Sequence, residues 1–125
     1  MTAFFPWHRG LRFREVSHLE IETSRSGQAA VIALRGELDM AGAAALEAEL
    51  EGLNGDAVVI DLRDVTFMDS SGLRALVVAS QRAQDGGRRF ALVPGAAQVM
   101  RVFEITRMLE RLVFVDDPGE VRAEP

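Results

Sequence analysis

The apolar run Ala57-Val58-Val59-Ile60 leads, through Asp69-Ser70-Ser71-Gly72, into Leu73-Arg74-Ala75-Leu76-Val77-Val78-Ala79-Ser80. A short continuous apolar run reads as a buried strand, and the second stretch reads as a helix packed on a sheet. A buried strand delivering the chain into a helix is the building unit of layered α/β architecture. The junction sets two hydroxyls beside a carboxylate where a loop enters a helix. Backbone N–H groups at such a terminus lack intrahelical partners and favour negative charge. A serine placed there either caps the helix or carries a phosphate.

The flanking segments extend this unit. Leu19, Ile21 and Thr23 alternate with polar residues, as in a half-buried strand, and Ser24-Arg25-Ser26-Gly27 turns the chain. Residues 29–35 carry little polarity, which predicts a central strand covered on both faces and paired with its predecessor as a hairpin. Gly36-Glu37-Leu38-Asp39 ends it, with Asp39 placed to cap a helix over residues 40–53. In that helix Leu46, Leu50 and Leu53 face inward, and Glu47, Glu49 and Glu51 face water. A third strand covers residues 57–62, and a helix beginning at Ser71 runs to about residue 84, stopped by Asp85-Gly86-Gly87. A fourth strand over 89–93, a helix over 96–104 with Val99, Val102 and Phe103 inward, and a short fifth strand over 112–115 complete the pattern. The expected fold is a single α/β domain, β-β-α-β-α-β-α-β, with one mixed sheet of about five strands and helices packed mainly on it.

Residues 19–116 form the expected domain. Residues 1–18 differ: they hold Phe4, Phe5, Trp7, Phe13 and a local charge of +2, against −7 for the remainder. No helical or strand period persists there, so the expectation is an N-terminal extension, either disordered or a docking arm. Residues 117–125 read as a short polar tail broken by Pro118 and Gly119.

Composition removes several functions. The 125 residues carry 14 basic and 19 acidic side chains, a formal charge of −5. A nucleic-acid binder needs clustered Lys and Arg to displace counterions, so no nucleic-acid partner is expected. Cysteine is absent, which excludes disulfides and thiolate metal sites. No segment is long and apolar enough to span a bilayer, and no signal peptide is read at the N-terminus. A cytoplasmic protein is the default expectation.

Catalytic constellations are equally scarce. His8 and His18 lie in or beside the irregular arm and not at metal-ligand spacing, so neither a metal site nor a cofactor is expected. Ser70 and Ser71 lack the Gly-x-Ser-x-Gly elbow of a hydrolase. Neither a P-loop nor a dinucleotide fingerprint occurs, and Gly86-Gly87 follows a helix, the wrong place to cradle a phosphate. The expectation is a binding module rather than an enzyme.

Gly36-Glu37-Leu38-Asp39 before a helix, then Val58-Val59-Ile60-Asp61-Leu62, then Phe67-Met68-Asp69-Ser70-Ser71-Gly72-Leu73 resembles the STAS domain family. Within it the chain looks most like the bacterial anti-anti-sigma factors, or anti-sigma factor antagonists. The likeness covers residues 19–115. It implies that the serine directly after the signature aspartate, here Ser70, is phosphorylated by an anti-sigma factor that is also a serine kinase. Ser71 is the second choice of acceptor and the first choice of local cap. The resemblance further implies that Asp39 lies near the serine and shares a partner-facing surface with Asp69, Ser70, Ser71, Gly72, Leu73, Arg74 and Val77. A phosphatase would reset the switch. STAS domains also serve as accessory subunits of transport systems, including lipid-transport ATPases, and that is the alternative reading. Oligomeric state is left open.

Three departures from relatives stand out. Arg74 replaces a small residue in the first helical turn, four residues beyond Ser70, where it can either pair with a phosphoserine or stay solvated. Arg107 replaces a glycine that ends the third helix, so that helix is expected to run on. Relatives also close with a helix after the position of Val115, and the aromatics of the N-terminal arm are expected to cover the surface left open.

Overall fold

The computed structural model describes residues 12–53 and 57–120. They form strands β1 (Arg12–Val16), β2 (Leu19–Ser26), β3 (Ala29–Leu38), β4 (Ala57–Met68) and β5 (Arg89–Val93), with helices α1 (Met40–Glu51), α2 (Ser70–Asp85) and α3 (Ala97–Ile105). Two short 3-10 turns follow, at Leu109–Arg111 and Pro118–Glu120. The five strands lie in one sheet in sequence order. β1, β2 and β3 pair antiparallel, while β3–β4 and β4–β5 are parallel and joined through α1 and α2. A parallel pair needs such a crossover, and the antiparallel pairs need only tight turns. Gly27 supplies the β2–β3 turn with φ of 64°, a backbone conformation that costs glycine little.

Period-two alternation directs Ile21, Ile32, Leu34, Ile60 and Leu92 to one face; the registers set Ile21 opposite Leu34 and place Ile32, Ile60 and Leu92 in line. Leu46 of α1, Leu73 and Leu76 of α2, and Val99 and Phe103 of α3 pack into the same core. Each such side chain contributes about 1.5–3 kcal/mol by leaving water. α1 and α2 touch one another, and α3 packs against β4 and beside α2. β4 is buried throughout residues 57–62, as a central parallel strand should be. On its polar stretch the Arg63 guanidinium grips Asp61, with Nη2 2.7 Å from Oδ2. The hydrogen bond to Asp61, followed by the charge of that carboxylate, raises the Arg63 pKa above its ordinary value.

The α/β class and single mixed sheet match the sequence reading, and the differences are local. The order is β-β-β-α-β-α-β-α. Residues 12–16, expected within an irregular extension, form edge strand β1 against β2. Their side chains are mostly exposed, so no alternation marks them. Phe4, Phe5 and Trp7 lie outside the described residues. The expected strand over 112–115 contracts to a single bridge, Leu92 to Phe114. Two backbone hydrogen bonds hold it, Leu92 N–H to Val113 O and Val115 N–H to Leu92 O, each 2.9 Å. Strand β3 is central, yet Val31 and Ala33 on its second face remain half-exposed. Glu49, expected in water, is 4% exposed. It accepts a 2.9 Å hydrogen bond from Thr23 Oγ1 and meets Arg12 Nη1 at 3.3 Å. Both partners belong to strands distant in sequence, so helical period alone could not reveal that face. The start of the expected tail forms the second 3-10 turn, packed against β4. No helix among the described residues is long and apolar enough to cross a membrane.

α3 does not run on at Arg107. It ends at Ile105, and Arg107 takes a φ of 64°. Arg107 N–H donates to Glu104 O at 3.1 Å, and Met108 N–H to Phe103 O at 2.8 Å. This paired 5→2 and 6→1 pattern is the Schellman termination, closed by Met108 returning to the core. α2 ends the same way, with Gly87 in the left-handed position and Arg88 N–H donating to Ala83 O at 2.8 Å. The arginine thus takes over a glycine's conformation rather than extending the helix.

Candidate functional site

The parallel strands β3 and β4 finish level with one another, Leu38 opposite Met68. Each then yields one aspartate and a helix. Asp39 caps α1, its Oδ1 accepting from Gly42 N–H at 3.0 Å. Asp69 caps α2 in the same manner, accepting from Gly72 N–H at 3.1 Å. The repeated Asp-x-x-Gly places two helix N-termini side by side at the C-terminal edge of the sheet. Asp69 N–H reaches Leu38 O at 3.4 Å, tying the second cap to the first. Asp39 therefore sits by the serine segment, as expected.

The loop expected between strand and helix does not form. β4 continues to Met68, and Asp69 alone separates it from α2. Glycine makes this close approach possible: a Cβ on Gly72 would lie 2.5 Å from Leu38 O and 2.8 Å from Met68 Cγ. Extra residues on β4 opposite β3 appear as register shifts between Ala33 and Arg35 and again after Gly36. Bulges of this kind bend a strand and re-aim its end, and a strand reading based on alternation stops where they begin.

Asp69 also settles the cap. Ser71 does not act as one, and the Ser70 hydroxyl takes part in none of the hydrogen bonds among the described residues. Ser70 is exposed as the first helical residue, while Ser71 is half-buried. Arg74 is exposed one turn further on. Gly72 and Leu73 are buried, Leu73 at 8% exposure in the core, and Val77 packs against that core half-buried. These three support the site from beneath; Leu73 offers no docking surface, because helical period turns it to the sheet.

The fold adds residues that the sequence reading missed. Met40, the first residue of α1, is 74% exposed, and Phe67 near the end of β4 is 49% exposed. Both flank the paired caps, since Phe67 is in register with Glu37. An apolar residue directly after an Asp cap was the only local signal for Met40, and Phe67 stood in the run before Asp69 with nothing local to mark its exposure. At the same corner His18, Glu37 and Asp39 bring donor atoms within 4.8 Å of one another. Sequence spacing gave His18 no ligand partners; the pairing of β2 with β3 supplies two. His18 Nδ1 lies 3.8 Å from Glu37 Oε1, and one Asp39 oxygen is already used by the cap. The trio adds negative charge beside the serine.

Solved structures share this architecture. An anti-sigma factor antagonist from Mycobacterium paratuberculosis aligns with a TM-score of 0.74 at 23% identity, covering 82% of this chain and 89% of that one. An anti-sigma-factor antagonist (STAS) domain protein from Planctomyces limnophilus gives 0.66 at 24%, covering 80% and 92%. The Bacillus cell fate determinant SpoIIAA in its phosphorylated form gives 0.59 at 18%, covering 88% and 94%. At these identities the likeness establishes the fold. The family model described as "Mlab, STAS domain" matches residues 21–114, which include the paired caps and Ser70, and the chain belongs to the STAS domain family.

Proposed function

We propose that this protein is an anti-sigma factor antagonist whose binding to an anti-sigma factor with serine-kinase activity is switched by phosphorylation of Ser70. The observation that carries the reading is the unused, exposed Ser70 hydroxyl: Asp69 performs the capping, so the serine is free to react without dismantling the helix. Structural likeness to two anti-sigma factor antagonists adds support. In this reading the chain is a substrate and a binding module. ATP and the catalytic base belong to the kinase, and a separate phosphatase restores the hydroxyl.

The switch is electrostatic. A phosphate adds about −1.5 to −2 charge at neutral pH. It would appear beside Asp69, with Asp39 and Glu37 on the neighbouring β3–α1 corner. The α2 terminus tolerates the new charge locally, because its free N–H groups favour anions. A partner surface fitted to a neutral serine, to Met40 and to Phe67 would have to desolvate an unpaired dianion. Misfits of this kind cost about 2–5 kcal/mol, enough to weaken binding by more than an order of magnitude. Arg74, exposed four residues beyond Ser70, either pairs with the phosphate or stays solvated, and exposed pairs of this type contribute little to stability.

The direct test incubates the protein with ATP and a candidate anti-sigma factor kinase, then maps the product by mass spectrometry. A single phosphate on Ser70, lost in Ser70→Ala, is the expected result. Modification at Ser71, or none, removes the switch and favours the transport-subunit reading, in which the same face docks without modification.

A further inference from the structure

A groove of about 360 Å3 opens between α1 and α2, lined along α2 from Ala75 to Gly86 and so C-terminal to Ser70. Val58 and Phe90, paired across β4 and β5 near the starts of those strands, form its floor. Leu50 of α1 and Ala75, Ala79 and Ala83 of α2 form its walls. The alanines recur every fourth residue, so they share one helix face and keep it shallow. Larger side chains there would close the gap between the helices.

The rim is divided by charge. Glu47 and Glu51 stand on the α1 side, and Arg82 and Arg88 on the α2 side. Arg88 is fixed in place: its Nη2 donates to Leu53 O at 2.9 Å. Among the described residues, Glu47, Glu51 and Arg82 form no ion pair, so no salt bridge crosses the rim, and the Arg88–Leu53 hydrogen bond joins its two sides at one end only. The volume falls in the range of small-molecule sites, and an apolar lining with a few charged groups at the mouth is their usual chemistry.

We propose that this groove binds a small amphipathic carboxylate, with its apolar chain on Val58, Phe90 and Ala79 and its head group at Arg82 and Arg88. The capacity is about a dozen groups of ~30 Å3 each, the share of one water in the liquid, which corresponds to a medium-length chain. Guanidinium groups match a carboxylate in planar geometry. The two glutamates repel the head group from α1 and so fix the orientation of the bound molecule, a repulsive element that sets specificity. This site is separate from the serine face and stands or falls independently of it.

The test titrates the full chain with decanoate, below its aggregation concentration, by calorimetry and by amide chemical-shift mapping. Saturable one-to-one binding is expected, with shifts centred on Val58, Ala79 and Phe90. Ala79→Leu fills the groove and should weaken binding at least tenfold. Arg82→Gln, an exposed change that leaves folding intact, should weaken it about threefold to tenfold and keeps the test informative should the filled variant lose its fold. Decylammonium should bind at least tenfold more weakly. Equal affinity for the two head groups, unchanged binding in a folded Ala79→Leu or in Arg82→Gln, shifts centred elsewhere, or no saturable heat would each overturn the proposal.

Discussion

Ser70 and Asp69 are neighbours with separate tasks, and substitution should separate them. Ser70→Ala removes the exposed hydroxyl and breaks no described hydrogen bond. It should abolish phosphorylation while leaving unfolding stability within about 0.5 kcal/mol, as surface changes usually do. Asp69→Ala removes the cap that holds Gly72 N–H, and denaturant unfolding should show a loss of about 1 kcal/mol. Gly72→Ala acts differently, by driving a methyl group against Leu38 O and Met68. Overpacking of this sort should cost about 1–3 kcal/mol, and more than the loss of the cap if the strand ends cannot part. If Gly72→Ala were neutral in the same unfolding experiment, the two helix starts would not be as closely apposed as described.

At the scale of elements, the ends of α2 and α3 form a natural comparison. Both terminate through a left-handed residue, Gly87 in one and Arg107 in the other. A side chain at that backbone conformation costs about 1–2 kcal/mol, offset in part by glycine's greater freedom in the unfolded chain. Arg107→Gly should therefore raise stability by about 0.5–1 kcal/mol, and Gly87→Ala should lower it by about 1 kcal/mol, both read as midpoint shifts in denaturant. The reading that α3 continues past Arg107 followed from an arginine standing where relatives have a helix-ending glycine. The structure ends the helix with Arg107 in the left-handed region and Met108 packed back against the core.

The whole molecule is closed at one edge by β1, and a single buried carboxylate joins that strand to α1. Glu49 is nearly sealed from water on α1, with Thr23 and Arg12 as its partners. Arg12 itself is 67% exposed, so its charge is partly screened. Arg12→Ala should destabilise the fold by about 1–2 kcal/mol, less than for a fully buried pair, because the stranded carboxylate keeps its threonine. Hydrogen exchange should also accelerate at Phe13–Val16 and not in β4, since an edge strand opens locally before the core does. Uniform acceleration across the sheet would mean that β1 is not a separate local unit.

The local chain chemistry was enough to determine the α/β class, the hairpin of β2 and β3, the two crossover helices and the Asp-Ser-Ser-Gly start of α2. These depend on periodicity, on glycine-containing turns and on capping preference, which act over a few residues. Only the tertiary structure decided that β1 joins the sheet, that Glu49 points inward, that Leu73 belongs to the core, and that Met40 comes to the same corner as the Asp69 cap. Each depends on what lies opposite, across a strand pair or under a helix, and sequence distance carries no record of that. The register of Leu38 with Met68 brings two separate caps into one surface, and the packing of that surface leaves the Ser70 hydroxyl in water.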